Sequence, residues 1–463
     1  MKKYRKIRNA EGKEKGRENG KECRRQTWRE MRMFLLLWLT QAFSGLGSAM
    51  TGYALVIWSY SQKGSALMTA LLMVCTYAPY IVFSIFAGAL SDRWDKKKTM
   101  LVCDTAAAAT TLAVLVLLRK DMLQIWHLYL MNMINGLMNT VQQPASEVAV
   151  TRLLPEKHYQ KVGGLRYFSS SVNSILTPVI ATAVLGLAGM NAVIAFDLFS
   201  FTVAFFVLLF VIRIPAGGNV QEKPDAQEEQ EKQEKPGLLK AAGEGIAYLK
   251  KERGIFDLIL FLAAINFVAS IYQAAFPAML LSRNGGSEKA LGLVNAVIGA
   301  ATLAGSVIAS CVKAPESRVR VICNCLLLAM STENFCLALG KNLPVWCVGA
   351  ALGWVGIPVM NANLDVLVRG HVPVELQGRV FAARNTLQFF TIPVGYLLGG
   401  LLVDSLFEPL ASRMEPGSPW ALLFGLGKGS GAAGLFLVLG FLGVLTCLIF
   451  RRDRHIWSLE EKP

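Results

Sequence analysis

Apolar windows of about 20 residues, the length that carries a helix across ~30 Å of hydrocarbon, recur along the chain. They fall at 33–59, 67–91, 99–118, 124–148, 164–187 and 190–212, then at 255–281, 289–312, 319–340, 344–367, 379–406 and 430–450. Backbone polar groups in lipid must be satisfied within the segment that carries them, so these runs read as helices. The pattern predicts an all-α membrane protein with twelve transmembrane helices. Most connections are short and polar. The segment Gly88-Ala-Leu-Ser-Asp-Arg-Trp-Asp-Lys-Lys-Lys98, for example, places six charges between the second and third spans.

One connection is long. Gln221-Glu-Lys-Pro-Asp-Ala-Gln-Glu-Glu-Gln-Glu-Lys-Gln-Glu-Lys235 lacks any apolar period and reads as a solvated linker. It divides the chain into a basic tail (1–32), a first six-helix bundle (33–212), a linker (213–254), a second six-helix bundle (255–451) and a C-terminal tail (452–463). The halves echo one another. At an offset of 218 residues (Asp365 against Glu147), Pro155, Lys161, Val162 and Arg166 fall on Pro373, Arg379, Val380 and Arg384. Duplicated bundles with a substrate site between them are an architecture of secondary transporters.

Composition agrees with the pattern: 53% hydrophobic residues and a mean hydropathy of +0.42. The net charge of +15 raises the question of a nucleic-acid partner. With a cytoplasmic N-terminus, however, the twelve spans leave only Lys63, Arg119, Lys120, Arg283, Lys289, Lys341, Arg413 and Lys428 of the 47 Lys and Arg on the outer side. That asymmetry is the positive-inside rule. It assigns the charge to anionic headgroups of the bilayer, with no nucleic acid, and implies a multi-pass protein of the cell membrane with both termini cytoplasmic. The nine cysteines, mostly inside spans, show no metal-ligand spacing and read as small buried hydrophobes.

Gly88-x-x-x-Asp92-Arg93-x-x-Lys96-Lys97 resembles the loop signature of the major facilitator superfamily. The resemblance implies a cytoplasmic latch made by Gly88, Asp92, Arg93 and Lys97: the aspartate meets the N-terminus of helix 11, and the basic residues hold neighbouring helix ends. Asp95 stands where that family usually has a second glycine. Gln143-Pro-Ala, Phe196-Asp-Leu-Phe-Ser-Phe201, Gly378-Arg-Val-Phe, Pro393-Val-Gly395 and Gly399-Gly400 are similar to segments of bacterial drug:proton antiporters, the group with macrolide efflux proteins and enterobactin exporters. Helix 4 lacks the arginine of many proton-coupled members, and helix 5 has Thr177-Pro178 without the full glycine-rich antiporter motif.

Polar groups in lipid cost several kcal/mol unless they face water, protein or cargo. On helix 4, Asn132, Asn135, Asn139 and Gln142 recur at helical spacing. Gln41 and Ser48 on helix 1, and Asn266 and Gln273 on helix 7, do likewise. The resemblance implies that helices 1, 4 and 7 line a substrate pathway; interhelical hydrogen bonding is the competing reading. Acids inside spans are candidates for proton coupling. Asp197 and Glu333 lie deepest, while Asp104, Glu147 and Asp365 sit nearer the cytoplasmic ends; each could instead be a structural partner of Arg166, Arg384 or a loop lysine, and the matched positions of Glu147 and Asp365 close to Arg152 and Arg369 favour that role for these two.

Enzyme signatures are absent. Gly425-Leu-Gly-Lys-Gly-Ser-Gly431 lacks both the first glycine and the hydroxyl of a phosphate loop, so no nucleotide, metal or other cofactor is expected. The expected function is secondary active efflux of an amphipathic small molecule by alternating access, driven by a proton gradient. A siderophore exporter, a lysolipid transporter and a non-transporting sensor or scaffold are the alternatives.

Overall fold

The computed structural model describes residues 2–153, 159–212, 247–312 and 315–460, and among these it contains helices and no strand. The helices follow the apolar windows: α1 (Lys2–Lys63), α2 (Ala66–Arg93), α3 (Lys96–Arg119), α4 (Ile125–Leu153), α5 (159–188) and α6 (190–206). The second half has α7 (Arg253–Ser282), α8 (Glu288–Cys311), α9 (Arg318–Leu339), α10 (Leu343–His371), α11 (374–401) and α12 (Ser430–Arg451). Ten stretches among the described residues are long and apolar enough to cross a membrane. One of them, Phe168–Val211, runs through most of α5 and all of α6, and the polar α4 is not among the ten.

Helix ends are set by local chemistry. Asp95 accepts a hydrogen bond from the Lys98 N–H at 2.8 Å and Asn342 from the Val345 N–H at 3.2 Å, each satisfying an orphan donor in a first helical turn. The α5–α6 junction is a single residue, Gly189, at φ 75° and ψ −179°, a conformation that a side chain disfavours. At the end of α7, the Arg283 guanidinium donates to the carbonyls of Leu337, Ala338 and Phe424 at 2.6, 2.9 and 3.2 Å. Burial pushes its pKa down to about 10.

Within the first half α1 packs on the α5–α6 pair, and α2 and α3 pack on α4. In the second, α7 lies against α11 and α12, and α9 against α10 and α12. The halves meet mainly through two helix pairs, α2 with α11 and α5 with α8, with smaller contacts of α1 and α2 on α7. Gly400 of α11 touches α2 so closely that a Cβ there would meet Leu67 Cα at 2.5 Å. Tyr77 and Tyr396 place their rings 5.8 Å apart across the same seam.

Candidate functional site

The halves are closed against each other at the end bearing the α1–α2, α7–α8 and α11–α12 connections. There the Tyr60 and Ser282 hydroxyls lie 3.0 Å apart. The Asp404 carboxylate, in a wide helical turn after α11, accepts from the Ser65 hydroxyl at 2.5 Å and from the Ala66 and Leu67 N–H groups at 2.9 Å. Glu408, one turn later, caps α12 through the N–H groups of Gly429 (3.0 Å) and Ala432 (3.1 Å). Toward the opposite end, a cavity of about 480 Å³ opens on α1, α4 and α5. Phe34, Leu37, Trp38 and Val150 form its apolar wall; Gln41, Gln143 and Asn173 are among its polar groups.

Behind that cavity, two adjoining spaces of about 310 and 150 Å³ lie inside the first bundle and share Ser48, Thr111, Asn139 and Asp197 as walls. The α4 stripe faces them. Asn132 accepts from the Thr76 hydroxyl at 3.0 Å and Asn135 from the Thr110 hydroxyl at 2.9 Å. Gln142 donates to Asp104 Oδ1 at 2.6 Å, and Gln41 to Asp104 Oδ2 at 3.3 Å. Asp197, 3% exposed, accepts from Ser48 at 3.0 Å and from Thr111 at 3.4 Å. Among the described residues no Lys, Arg or His lines either space. Both carboxylates are thus held by neutral side-chain donors. Gln41 lines both the open cavity and the smaller polar space, so it is the wall between them.

The other sequence candidates are placed differently. Asn266 donates to the Gln388 carbonyl at 3.2 Å and Gln273 accepts from the Tyr396 hydroxyl at 2.9 Å, so both join α7 to α11. Glu333, 6% exposed, accepts from Tyr272 at 2.5 Å and from the Trp354 indole at 2.8 Å, inside the second bundle. Asp365 pairs with Arg384 at 3.3 Å. Lys97 donates to the carbonyls of Leu209 and Ile212 at 2.9 and 2.7 Å, where α6 ends. Gly88 and the side chains of Asp92, Arg93 and Glu147 lie outside the described residues, as does most of the linker.

Sequence reasoning missed Thr76, Thr110, Thr111, Tyr272, Trp354 and Asp404. Asp104 and Thr111 are seven residues apart, two turns of α3, so their shared face was there to be read. Tyr272 and Trp354 carried no such signal, because aromatic residues in apolar runs look like core.

Comparison with known proteins agrees with this architecture. Macrolide efflux protein A of Streptococcus pyogenes is 23% identical over 372 residues, 80% of this chain and 89% of that protein. The Enterococcus faecalis protein of the same name is 23% identical over 333 residues, 72% of this chain and 99% of that one. A bacterial homologue of the iron transporter ferroportin, solved in an inward-facing state, superposes with a TM-score of 0.64 at 13% identity, covering 91% of this chain and 99% of that one. The family profile described as Major Facilitator Superfamily matches residues 37–330, more than half of the sequence. The chain is a membrane transporter that belongs to the Major Facilitator Superfamily.

Proposed function

We propose that the protein is an efflux carrier of the cell membrane, with both termini cytoplasmic, that exports an amphipathic small molecule in exchange for protons. The observation that carries this reading is the pairing of a cavity open at one end with a seam closed at the other. With the positive-inside orientation, the open end faces the cytoplasm and the Asp404 closure faces outside, an arrangement suited to cargo entry from within. The mixed wall of Trp38, Phe34, Gln143 and Asn173 suits a cargo with both apolar and hydrogen-bonding parts. The macrolide efflux relatives favour a macrolide-like compound over a siderophore or a lysolipid.

Asp104 and Asp197 are the leading proton carriers in this scheme because they adjoin the cargo cavity through Gln41. Glu333 is the counterpart in the second bundle. Asp365, tied to Arg384, has a structural role, and we extend the same role to Glu147 through the internal repeat. Asp92, with Gly88, Arg93 and Lys97, forms the cytoplasmic latch that must close when the outer seam opens. Inverted membrane vesicles energised with a pH gradient test the scheme. Gradient-dependent accumulation of a macrolide or fluorescent amphipath is the expected result, and uptake indifferent to the gradient would remove proton coupling.

A further inference from the structure

A cavity in the second half plays no part in the transport scheme. It lies between the C-terminal end of α8, the first turn of α9 and the second half of α10, measures about 250 Å³, and is walled by Val312, Val321, Val359, Ala362 and Val366. These helix ends are on the side of the bundle opposite the Asp404 closure, since α8 crosses once from the α7–α8 connection. Arg318, the first residue of α9, stands in the cavity and donates from Nη1 to Asn363 Oδ1 at 3.2 Å. Asn363 is 8% exposed and is itself fixed by a bond from its Nδ2 to the Val359 carbonyl at 2.9 Å.

A guanidinium offers five N–H donors in a planar fork. One bond to a buried neutral amide therefore orients the group and leaves most of its donors for an anion. The α9 N-terminus is already capped from elsewhere: Glu460 accepts from the Ser317 hydroxyl at 3.3 Å and from the Val319 N–H at 2.5 Å. Among the described residues that line the cavity, Arg318 is the cation available to an anion. The cavity walls are apolar and continue outward, with Val312 63% and Val366 49% exposed. At the repeat offset Asn363 falls on Ala145, which is fully buried in an apolar cluster with Leu37 and Met100. A polar group therefore stands in this half where the other half has packed core.

We infer that this cavity binds an acidic phospholipid, with the phosphate on the Arg318 guanidinium and the glycerol region and first methylenes against the valines. Guanidinium matches phosphate geometry in a bidentate way, and the apolar walls add affinity only for an anion that carries hydrocarbon. The site differs from general headgroup attraction by basic loops, because it holds one lipid at one half-buried arginine in a walled cavity.

The full chain, purified in detergent and stripped of lipid, is titrated with phosphatidylglycerol, with phosphatidylcholine and with inorganic phosphate, and bound lipid is counted by native mass spectrometry. Wild type should retain one phosphatidylglycerol at least fivefold more tightly than phosphatidylcholine, and inorganic phosphate should not displace it. Arg318→Gln should lose that preference, while Arg318→Lys should keep part of it. Ala362→Phe, which fills the cavity and leaves Arg318 in place, should lose the bound lipid and decides the matter should Arg318→Gln fail to fold. The inference is overturned if Arg318→Gln and Ala362→Phe both bind phosphatidylglycerol as wild type does, if the two lipids bind alike, or if millimolar phosphate displaces the lipid.

Discussion

The Asp404 carboxylate lies 2.9 Å from the backbone nitrogen of Leu67, so an acid of one half caps the first turn of a helix belonging to the other. Helix N-termini carry partial positive charge, and an anion there is worth about 0.3–2 kcal/mol. In the proposed export scheme α2 and α11 separate at this end when the carrier turns outward, so the bond would belong to one conformation and bias the balance between the two.

Asp404→Asn keeps the shape of the side chain and removes its charge. We expect roughly a fivefold to tenfold shift toward the outward-open state, from about 1 kcal/mol of lost cap energy. Spin labels at Lys63 and Glu415, both exposed outside the seam, should show a longer and broader distance distribution. An unchanged distribution would count against Asp404 as a closure.

Neutralising the carboxylates that adjoin the cargo cavity should separate binding from coupling. Asp104→Asn and Asp197→Asn are expected to abolish pH-driven accumulation in proteoliposomes while leaving downhill flux, since the open cavity retains its cargo wall. The same test on Glu333→Gln reports whether the second bundle takes part. If all three variants keep full gradient-driven transport, the proton pathway lies elsewhere or does not exist.

Arg283 provides a stability test free of transport. Arg283→Met retains much of the apolar stem and deprives three buried carbonyls of their donor, a loss of about 2–4 kcal/mol. The melting temperature in detergent should fall by several degrees, whereas Lys341→Met, at an exposed side chain bonded to one carbonyl, should leave it nearly unchanged. Equal melting of both variants would show that the arginine contributes nothing measurable.

Topology can be checked with single cysteines on a cysteine-free background. An impermeant thiol reagent should label positions 63 and 415 in intact cells and position 228 only after permeabilisation. Labelling of position 228 from outside would invert the orientation on which the direction of export rests.

Much of the fold was legible because burial in lipid forces apolar runs of fixed length, and those runs are visible in one dimension. The α4 stripe was legible for a similar reason: Asn132, Asn135, Asn139 and Gln142 repeat with the helical period. Their partners were not. Nothing in the spacing of α7 distinguishes Gln273, which meets Tyr396 across a helix pair, from a residue facing a cavity. Nor does the sequence near Glu333 announce Tyr272, 61 positions away, as its hydrogen-bond donor. Asp404 escaped notice because it sits at the end of an apolar run, where a single acid reads as solvated, and its role depends on a helix start more than 300 residues earlier. Asp95 shows the opposite case: its departure from the family's glycine is explained by one local bond, the cap on α3.

The one-residue junction at Gly189 also fixes what the rest of the world can recognise on this protein. With α5 passing into α6 through a single residue, that corner of the molecule offers no loop for an antibody, a phage or a protease to grip. The segment from Arg413 to Gly429, with Glu415 and Gly417 exposed at its tip, is by contrast the natural handle. An epitope inserted there should be displayed without disturbing the helices, whereas the same insertion at Gly189 would pull apart a pair that the chain holds together with no slack.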